Sequence, residues 1–184
     1  ERIEPASADA SFRRYFRVFR PDGGTLVVMD APPDKEDVRP YLKVSGLIES
    51  VGVHVPHVHE RDIERGLLLL EDLGGEHYLS RLNAGGDADA LYGDALQALV
   101  RLQADGVEAA RELPPYDRPV LEREMALMPE WFIARHLRLE ITDAEAAMLR
   151  DTFDLLVREC LAQPQVFVHR DYHSRNLMVI PKRN

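Results

Sequence analysis

The stretch Val168-His169-Arg170-Asp171-Tyr172-His173-Ser174-Arg175-Asn176-Leu177-Met178-Val179 sets a polar run between two short apolar ones. Val166 to Val168 and Leu177 to Ile180 read as short buried strands, since brief apolar runs bounded by turn residues favour extended structure. The polar residues are then the loop that joins them. In that loop four residues separate Asp171 from Asn176, and the spacing has a chemical use. A carboxylate beside an attacking hydroxyl accepts its proton, while an amide oxygen one short loop away holds a magnesium ion that bridges phosphates. A His-Arg-Asp head with an asparagine at this distance is the pattern of a phosphoryl-transfer loop. Asp171 is therefore the candidate catalytic base and Asn176 the candidate metal ligand. Asp and Asn also suit an ordinary polar turn, but head, spacing and flanking strands have no reason to coincide in one. His169 is expected to shape the loop by hydrogen bonding and Arg170 to act as an ion-pair partner.

Upstream of the loop the pattern is helical. Thr142 opens a long amphipathic stretch reaching Leu161, and Thr142 with Glu145 fits a capping box, in which hydroxyl and carboxylate satisfy orphan amides of the first turn. Val120 to Leu139 is a second such stretch, interrupted by Pro129, and Leu91 to Gln103 is a third. Strand signals dominate before Asp72-Leu73-Gly74-Gly75 and almost vanish after it. Tyr15 to Phe19 and Thr25 to Met29 flank the turn Pro21-Asp22-Gly23-Gly24, and Val58 to Ile63 and Leu67 to Leu70 flank Glu64-Arg65-Gly66, so two hairpins are expected. Between them, Glu36 to Val51 has helical spacing and Gly52 as its stop. The expected fold class is α+β, a two-lobed arrangement with an antiparallel sheet lobe over residues 1–70, a hinge at 71–75 and a mainly helical lobe over 76–184.

Composition removes several function classes. The 184 residues, 45% hydrophobic and 30% charged, have the make-up of a soluble globular protein. No apolar run approaches the ~20 residues that span a bilayer, and the start Glu-Arg-Ile-Glu-Pro lacks a secretory pattern, so a cytoplasmic protein without membrane contact is expected. The formal charge of -9 argues against nucleic acid as a partner, because that contact needs a summed positive field. An anionic small substrate would need local cations or a divalent metal, and Arg13, Arg14 and Arg17 are the nearest basic cluster. Cys160 is the single cysteine. It is expected to be a small core residue, and disulfides and cysteine zinc sites are excluded within the chain.

Val168-His169-Arg170-Asp171 with Asn176-Leu177-Met178-Val179, together with Leu68-Leu69-Leu70-Glu71-Asp72-Leu73-Gly74, resembles the aminoglycoside phosphotransferase-like kinases over essentially the whole chain. Pro5 to Arg17, Met29-Asp30-Ala31-Pro32-Pro33 and Pro129-Glu130-Trp131 are similar to the bacterial anomeric kinases of N-acetylmuramate and N-acetylglucosamine. The resemblance implies a kinase-like fold, ATP and Mg2+ as cofactors, and a small-molecule sugar whose anomeric hydroxyl is phosphorylated in cell-wall recycling. An aminoglycoside, choline or another alcohol as acceptor, or a non-catalytic kinase-like nucleotide-binding module, stay open as alternatives. By the same resemblance Ser7 to Arg14 is a phosphate-covering loop, with Ser11, Arg13 and Arg14 as candidate contacts. Its small residues let backbone amides approach phosphate oxygens without a G-x-G-x-x-G sequence. Leu67 to Gly74 reads as a buried strand entering a turn, and the adenine is placed near Glu71, Asp72 and Leu73.

The sequence also departs from the protein-kinase pattern. Val27-Val28-Met29-Asp30 offers no lysine on the third strand, where one normally pairs with phosphates and a helix glutamate. Lys35 and Lys43 are candidate substitutes, with Glu49 as a helix carboxylate. Sugar recognition needs carboxylates and a flat apolar surface, which Glu124, Trp131 and Arg135 supply if they share a helix face. His54, His57 and His59 straddle Pro56 without an obvious fourth ligand, so a polar loop is expected there rather than a metal site. Pro181-Lys182-Arg183-Asn184 comes before any second metal-binding aspartate, and no initiator methionine is present. A fragment exposing apolar surface is the expectation.

Overall fold

In a computed structural model, residues 2–8 and 12–180 are described. Two compact units divide them: Glu1–Ala109 with His169–Asn184, and Ala110–Val168. Among the described residues no helix is long and apolar enough to cross a membrane.

The first unit is built on a five-stranded antiparallel sheet of order β1-β2-β3-β5-β4. The strands are β1 (Arg2–Ala8), β2 (Arg14–Phe19), β3 (Thr25–Asp30), β4 (Val58–Asp62) and β5 (Leu67–Glu71). Both expected hairpins form. β1 was not marked by any alternation, and it lies at an edge, where Pro5 is tolerated beside the register shift between Pro5 and Ser7. Ser7 and Ala8 belong to this strand, which shortens the expected phosphate-covering loop. Its residues 9–11, Ser11 among them, lie outside the described residues.

Because side chains alternate across a strand, the register sorts the sheet into two faces. Tyr15 pairs with Met29, and Met29 with Leu68; Arg17 pairs with Val27, and Val27 with Leu70. These rows share one face, and Met29, Leu68 and Leu70 are buried there with Ala31 and Val38. Val38 opens helix α1 (Val38–Ser50), whose N-cap Asp37 accepts from the Arg39 amide, satisfying one of the orphan donors of the first turn. Of Met29 and Asp30, which stand where a strand lysine was looked for, Met29 is fully buried in this core.

One glycine closes the sheet. Gly66 sits at φ +69°, and a Cβ added there would lie 1.9 Å from the carbonyl oxygen of Ala31. The same two residues are joined by the Ala31 amide donating to the Gly66 carbonyl at 2.9 Å. Gly66→Ala is expected to destabilise the protein by about 2–4 kcal/mol, since backbone must move against backbone at a left-handed position. A urea unfolding midpoint unchanged from the parent would contradict this.

After β5 the first unit continues with α2 (Tyr78–Asn83), α3 (Ala88–Asp105) and the short α4 (Val107–Ala110), the last ending at the start of the second unit. Helix α3 is capped by Asp87, which accepts from the amides of Asp89 and Ala90. It buries Ala95 and Leu102, while Tyr92, Leu96 and Val100 stand exposed. Arg101 donates to the Gly52 carbonyl at 3.0 Å and ties α3 to the loop after α1.

The second unit contains α5 (Arg118–Leu127), a π-helix (Met128–Leu137) and α6 (Asp143–Leu161). The interruption expected at Pro129 is a change of helix type. Proline has no N–H to donate to the carbonyl four residues back, and the chain continues with wider turns. The π-helix ends on Arg138, a non-glycine residue at φ 54°. The capping box is present, with the Glu145 amide donating to the Thr142 hydroxyl and the Thr142 amide to the Glu145 carboxylate.

Two expectations are corrected. Cys160 is exposed on α6 rather than buried, because the buried residue of that helix is Val157. The strands expected at Val166 to Val168 and Leu177 to Ile180 do not form, for among the described residues neither finds a ladder partner. A single bridge, Met178 to His77, replaces them.

Candidate active site

The Asp171–Asn176 loop is held by the start of α2. The amides of Tyr78 and Leu79, orphan donors of its first turn, donate to the carbonyls of Leu177 and Ser174 at 2.9 and 3.0 Å. His77, at the N-cap, makes no side-chain cap, so loop carbonyls do that work. The Val179 amide donates to the Glu76 carbonyl at 2.8 Å, and the Tyr172 hydroxyl donates to the Ala95 carbonyl on α3 at 2.5 Å. This scaffold supports a backbone that needs it, for Arg170 lies at φ 70°, a conformation costly for a residue with a side chain.

Within the loop the polar atoms converge on Asp171. Asn176 Nδ2 donates to Asp171 Oδ2 at 2.7 Å and to the Asp171 carbonyl at 3.0 Å. Carboxylate and carbonyl oxygens only accept, so the amide nitrogen must face them, and this turns the Asn176 side-chain oxygen away from both. His173 Nε2 stands 2.8 Å from Asp171 Oδ1. His169 is half-buried, and burial holds its imidazole below the ordinary histidine range, with Asp171 opposing that shift and His173 adding to it. His169 Nδ1 and His77 Nδ1 are buried without a hydrogen-bond partner among the described residues.

Asn176 and His169 line a cleft of about 820 Å³ in the first unit, together with Arg13, Arg17, Lys35 and the segment Leu70 to Gly75. Such a volume accommodates a nucleotide. The cleft opens on the sheet face that carries Tyr15, Val27 and Leu70. Arg14 has the opposite parity. It pairs with Asp30, directly across the β2–β3 ladder. Lys35 lines the cleft with its ammonium 4.8 Å from the Phe12 ring centre, and the Phe12 amide donates to Glu36 at 3.4 Å.

Charges around the cleft entrance are largely matched. Arg17 donates from Nε and Nη2 to the two oxygens of Asp72, at 2.6 and 3.0 Å, and from Nη2 to the Gly74 carbonyl at 2.9 Å. The Gly74 amide returns a bond to Asp72 Oδ1 at 2.9 Å. Burial alone would push the Asp72 carboxyl up, but the bonds from Arg17, Thr25 and Gly74 together hold it below the usual range. Glu71 accepts from His54 Nε2 at 2.9 Å and from the His57 amide at 3.3 Å. The side chains of Glu71 and Asp72 are thus occupied, while the turn that carries them and Leu73 borders the cleft.

Among the described residues no group of three or more His, Cys, Asp or Glu side chains is placed to hold a metal. Mg2+ suits the Asp171–Asn176 loop nonetheless, because that ion takes few protein ligands and completes its shell with phosphate oxygens and water.

In the second unit Arg135 stacks over Trp131, its guanidinium carbon 3.9 Å from the ring centre, and Phe132 stacks with His136 at 5.7 Å. The Tyr116 hydroxyl donates to Glu124. Trp131 and Arg135 therefore meet at a four-residue separation on the π-helix, whereas Glu124, on α5, is engaged by Tyr116 from the loop before that helix.

The antiparallel sheet, the helix on its face and a loop presenting Asp171 beside Asn176 define an α+β chain of the kinase-like class. The chain belongs to the phosphotransferase enzyme family APH, whose family model matches residues 2–183. It is 53% identical over 175 residues to the N-acetylmuramate/N-acetylglucosamine kinase of Pseudomonas aeruginosa, covering 95% of this chain and 51% of that protein. Proteins of the same name from Pseudomonas putida and Neisseria meningitidis serogroup B are 49% identical over 176 residues and 46% over 179, covering 96% and 95% of this chain and 51% and 52% of theirs. The chain spans about half the length of the curated relatives it matches.

Proposed function

We propose that this chain carries the nucleotide cleft and catalytic loop of a cytoplasmic ATP-dependent kinase that phosphorylates the anomeric hydroxyl of N-acetylmuramate or N-acetylglucosamine in cell-wall recycling. The observation that carries the reading is the Asp171 carboxylate held by Asn176 at 2.7 Å, in a chain whose relatives bear that kinase name. Adenine lies against Val27 and Leu70 and bonds to backbone groups of the turn Glu71-Asp72-Leu73, the hinge between a small lobe over 1–70 and a larger one over 76–184. Arg13 and Lys35 meet the phosphates in place of the strand lysine; Arg14 serves β3 through Asp30 instead.

Asp171 orients the acceptor hydroxyl and takes its proton as the oxygen bonds to the γ-phosphorus and the bond to the β–γ bridging oxygen breaks, releasing ADP. Mg2+ would neutralise charge on the transferring group, and the Asn176 amide oxygen would hold it. Glu124, Trp131 and Arg135, all in the second unit, are the candidate sugar contacts.

The test is coupled ATP turnover by the full-length protein with Mg2+ against N-acetylmuramate, N-acetylglucosamine and an aminoglycoside, with phosphorus NMR locating the phosphate. Anomeric phosphate on an N-acetyl amino sugar is the expected product. Phosphate on the aminoglycoside alone would move the acceptor assignment, and ATP binding without turnover on any acceptor would leave a nucleotide-binding module.

A further inference from the structure

His173 has no role in the reading so far, yet its ring is fixed at both nitrogens. The Arg175 amide donates to His173 Nδ1 at 3.2 Å. A ring nitrogen that accepts cannot carry the proton, so the hydrogen of the neutral imidazole sits on Nε2. That nitrogen is 2.8 Å from Asp171 Oδ1 and donates to it. The second oxygen, Oδ2, takes the bond from Asn176. Asp171 is 68% exposed at its side chain, and packing does not restrain it. Two donors from its own loop, one on each oxygen, do so instead.

We infer that His173 is a positioning residue for Asp171: its Nε2–H, set by the Arg175 amide, holds one carboxylate oxygen while Asn176 holds the other, presenting the remaining lone pairs to the acceptor hydroxyl. This rests on the proposal that Asp171 is the base. Orientation of a catalytic group is worth paying for in fixed hydrogen bonds, because a misplaced base loses rate without losing substrate.

The first readout needs neither nucleotide nor metal. In protein labelled with 15N-histidine, long-range proton–nitrogen spectra are expected to show a neutral ring protonated at Nε2 that vanishes in His173→Gln. A ring at this position protonated at Nδ1, or at both nitrogens, at pH 8 overturns the inference.

The second readout is kinetic. His173→Ala in the full-length protein is expected to lower kcat by about 10- to 100-fold, the range for a bond to a charged group, with KM for ATP within about 2-fold. His173→Gln, whose side-chain amide reaches the place of Nε2–H, is expected to recover most of the loss, and the shorter His173→Asn is not. In the Asp171→Asn background His173→Ala should add nothing. A kcat within 2-fold of the parent in His173→Ala, or no recovery in His173→Gln, overturns the positioning role. Turnover that survives in Asp171→Asn overturns the base assignment first and this inference with it. Thermal unfolding of each variant is expected to match the parent, since both side chains are exposed.

Discussion

Asp171→Asn is expected to remove turnover by about three orders of magnitude or more while ATP binding persists, at the upper end of what a general base contributes. The substitution keeps the shape and takes away the proton-accepting charge. It also breaks the hydrogen-bond arithmetic of the loop. Two donors, His173 Nε2–H and Asn176 Nδ2–H, meet the two carboxylate oxygens, and an asparagine offers one acceptor oxygen where the aspartate had two. One of the donors must therefore turn away, and the Asn176 oxygen with it if that donor is Asn176. Because the Asp171 side chain is exposed, thermal stability should barely change, which separates a chemical loss from unfolding. Full turnover in the variant would show that another group accepts the proton; loss of ATP binding together with turnover would show that the loop itself had collapsed.

Much of the molecule was legible because its signals are local. Alternation plus a glycine turn marks β2–β3 and β4–β5, and Thr142 is a cap whose bond reaches only three residues; Asp37 and Asp87, equally local caps, went unread. Asp171 and Asn176 could be found because one short loop sets their distance. What the sequence hid depends on partners far along the chain. Val166 to Val168 and Leu177 to Ile180 have strand composition, but a strand exists only with a neighbour, and just Met178 finds one. Conversely β1, with Pro5 and exposed side chains, is a strand because β2 is beside it. Pro129 was visible; that the chain would answer with a π-helix was not. Among the three basic residues read as one cluster, parity alone separates Arg14, which serves β3, from Arg17, which reaches the cleft face. His173 stood in the quoted loop and was given no role, since the bond that fixes its tautomer comes from a backbone amide and leaves no mark in composition.

Arg17→Met is expected to be the most destabilising single change in the first unit outside its apolar core, costing about 3–5 kcal/mol at pH 7. The Asp72 side chain is 4% exposed and keeps its charge because Arg17 meets both oxygens, at 2.6 and 3.0 Å. Methionine preserves the apolar stem and leaves the carboxylate in a poorly hydrated place, where the bonds from Thr25 and the Gly74 amide do not replace the lost positive charge. The pH dependence gives the diagnosis. In the parent the folded carboxyl is held below its ordinary range, so the pair's stabilisation is fully present above the unfolded aspartate value of about 3.9 and fades as pH falls through the lower folded value. In Arg17→Met burial dominates and raises the folded carboxyl, so the variant takes up a proton on folding and recovers stability as the pH drops. The gap between parent and variant in urea midpoint should thus be widest at pH 7 and narrow towards pH 4. Arg17→Met with Asp72→Leu should regain a large part of the loss, because removing both charges leaves nothing stranded. The same variants bear on the nucleotide. Arg17 also holds the Gly74 carbonyl at 2.9 Å, so a turn released from the sheet should raise KM for ATP more than it lowers kcat, and the double variant, though refolded, should not restore that KM. A gap constant with pH would show that the lost stability came from the arginine's packing rather than from the charge it covers.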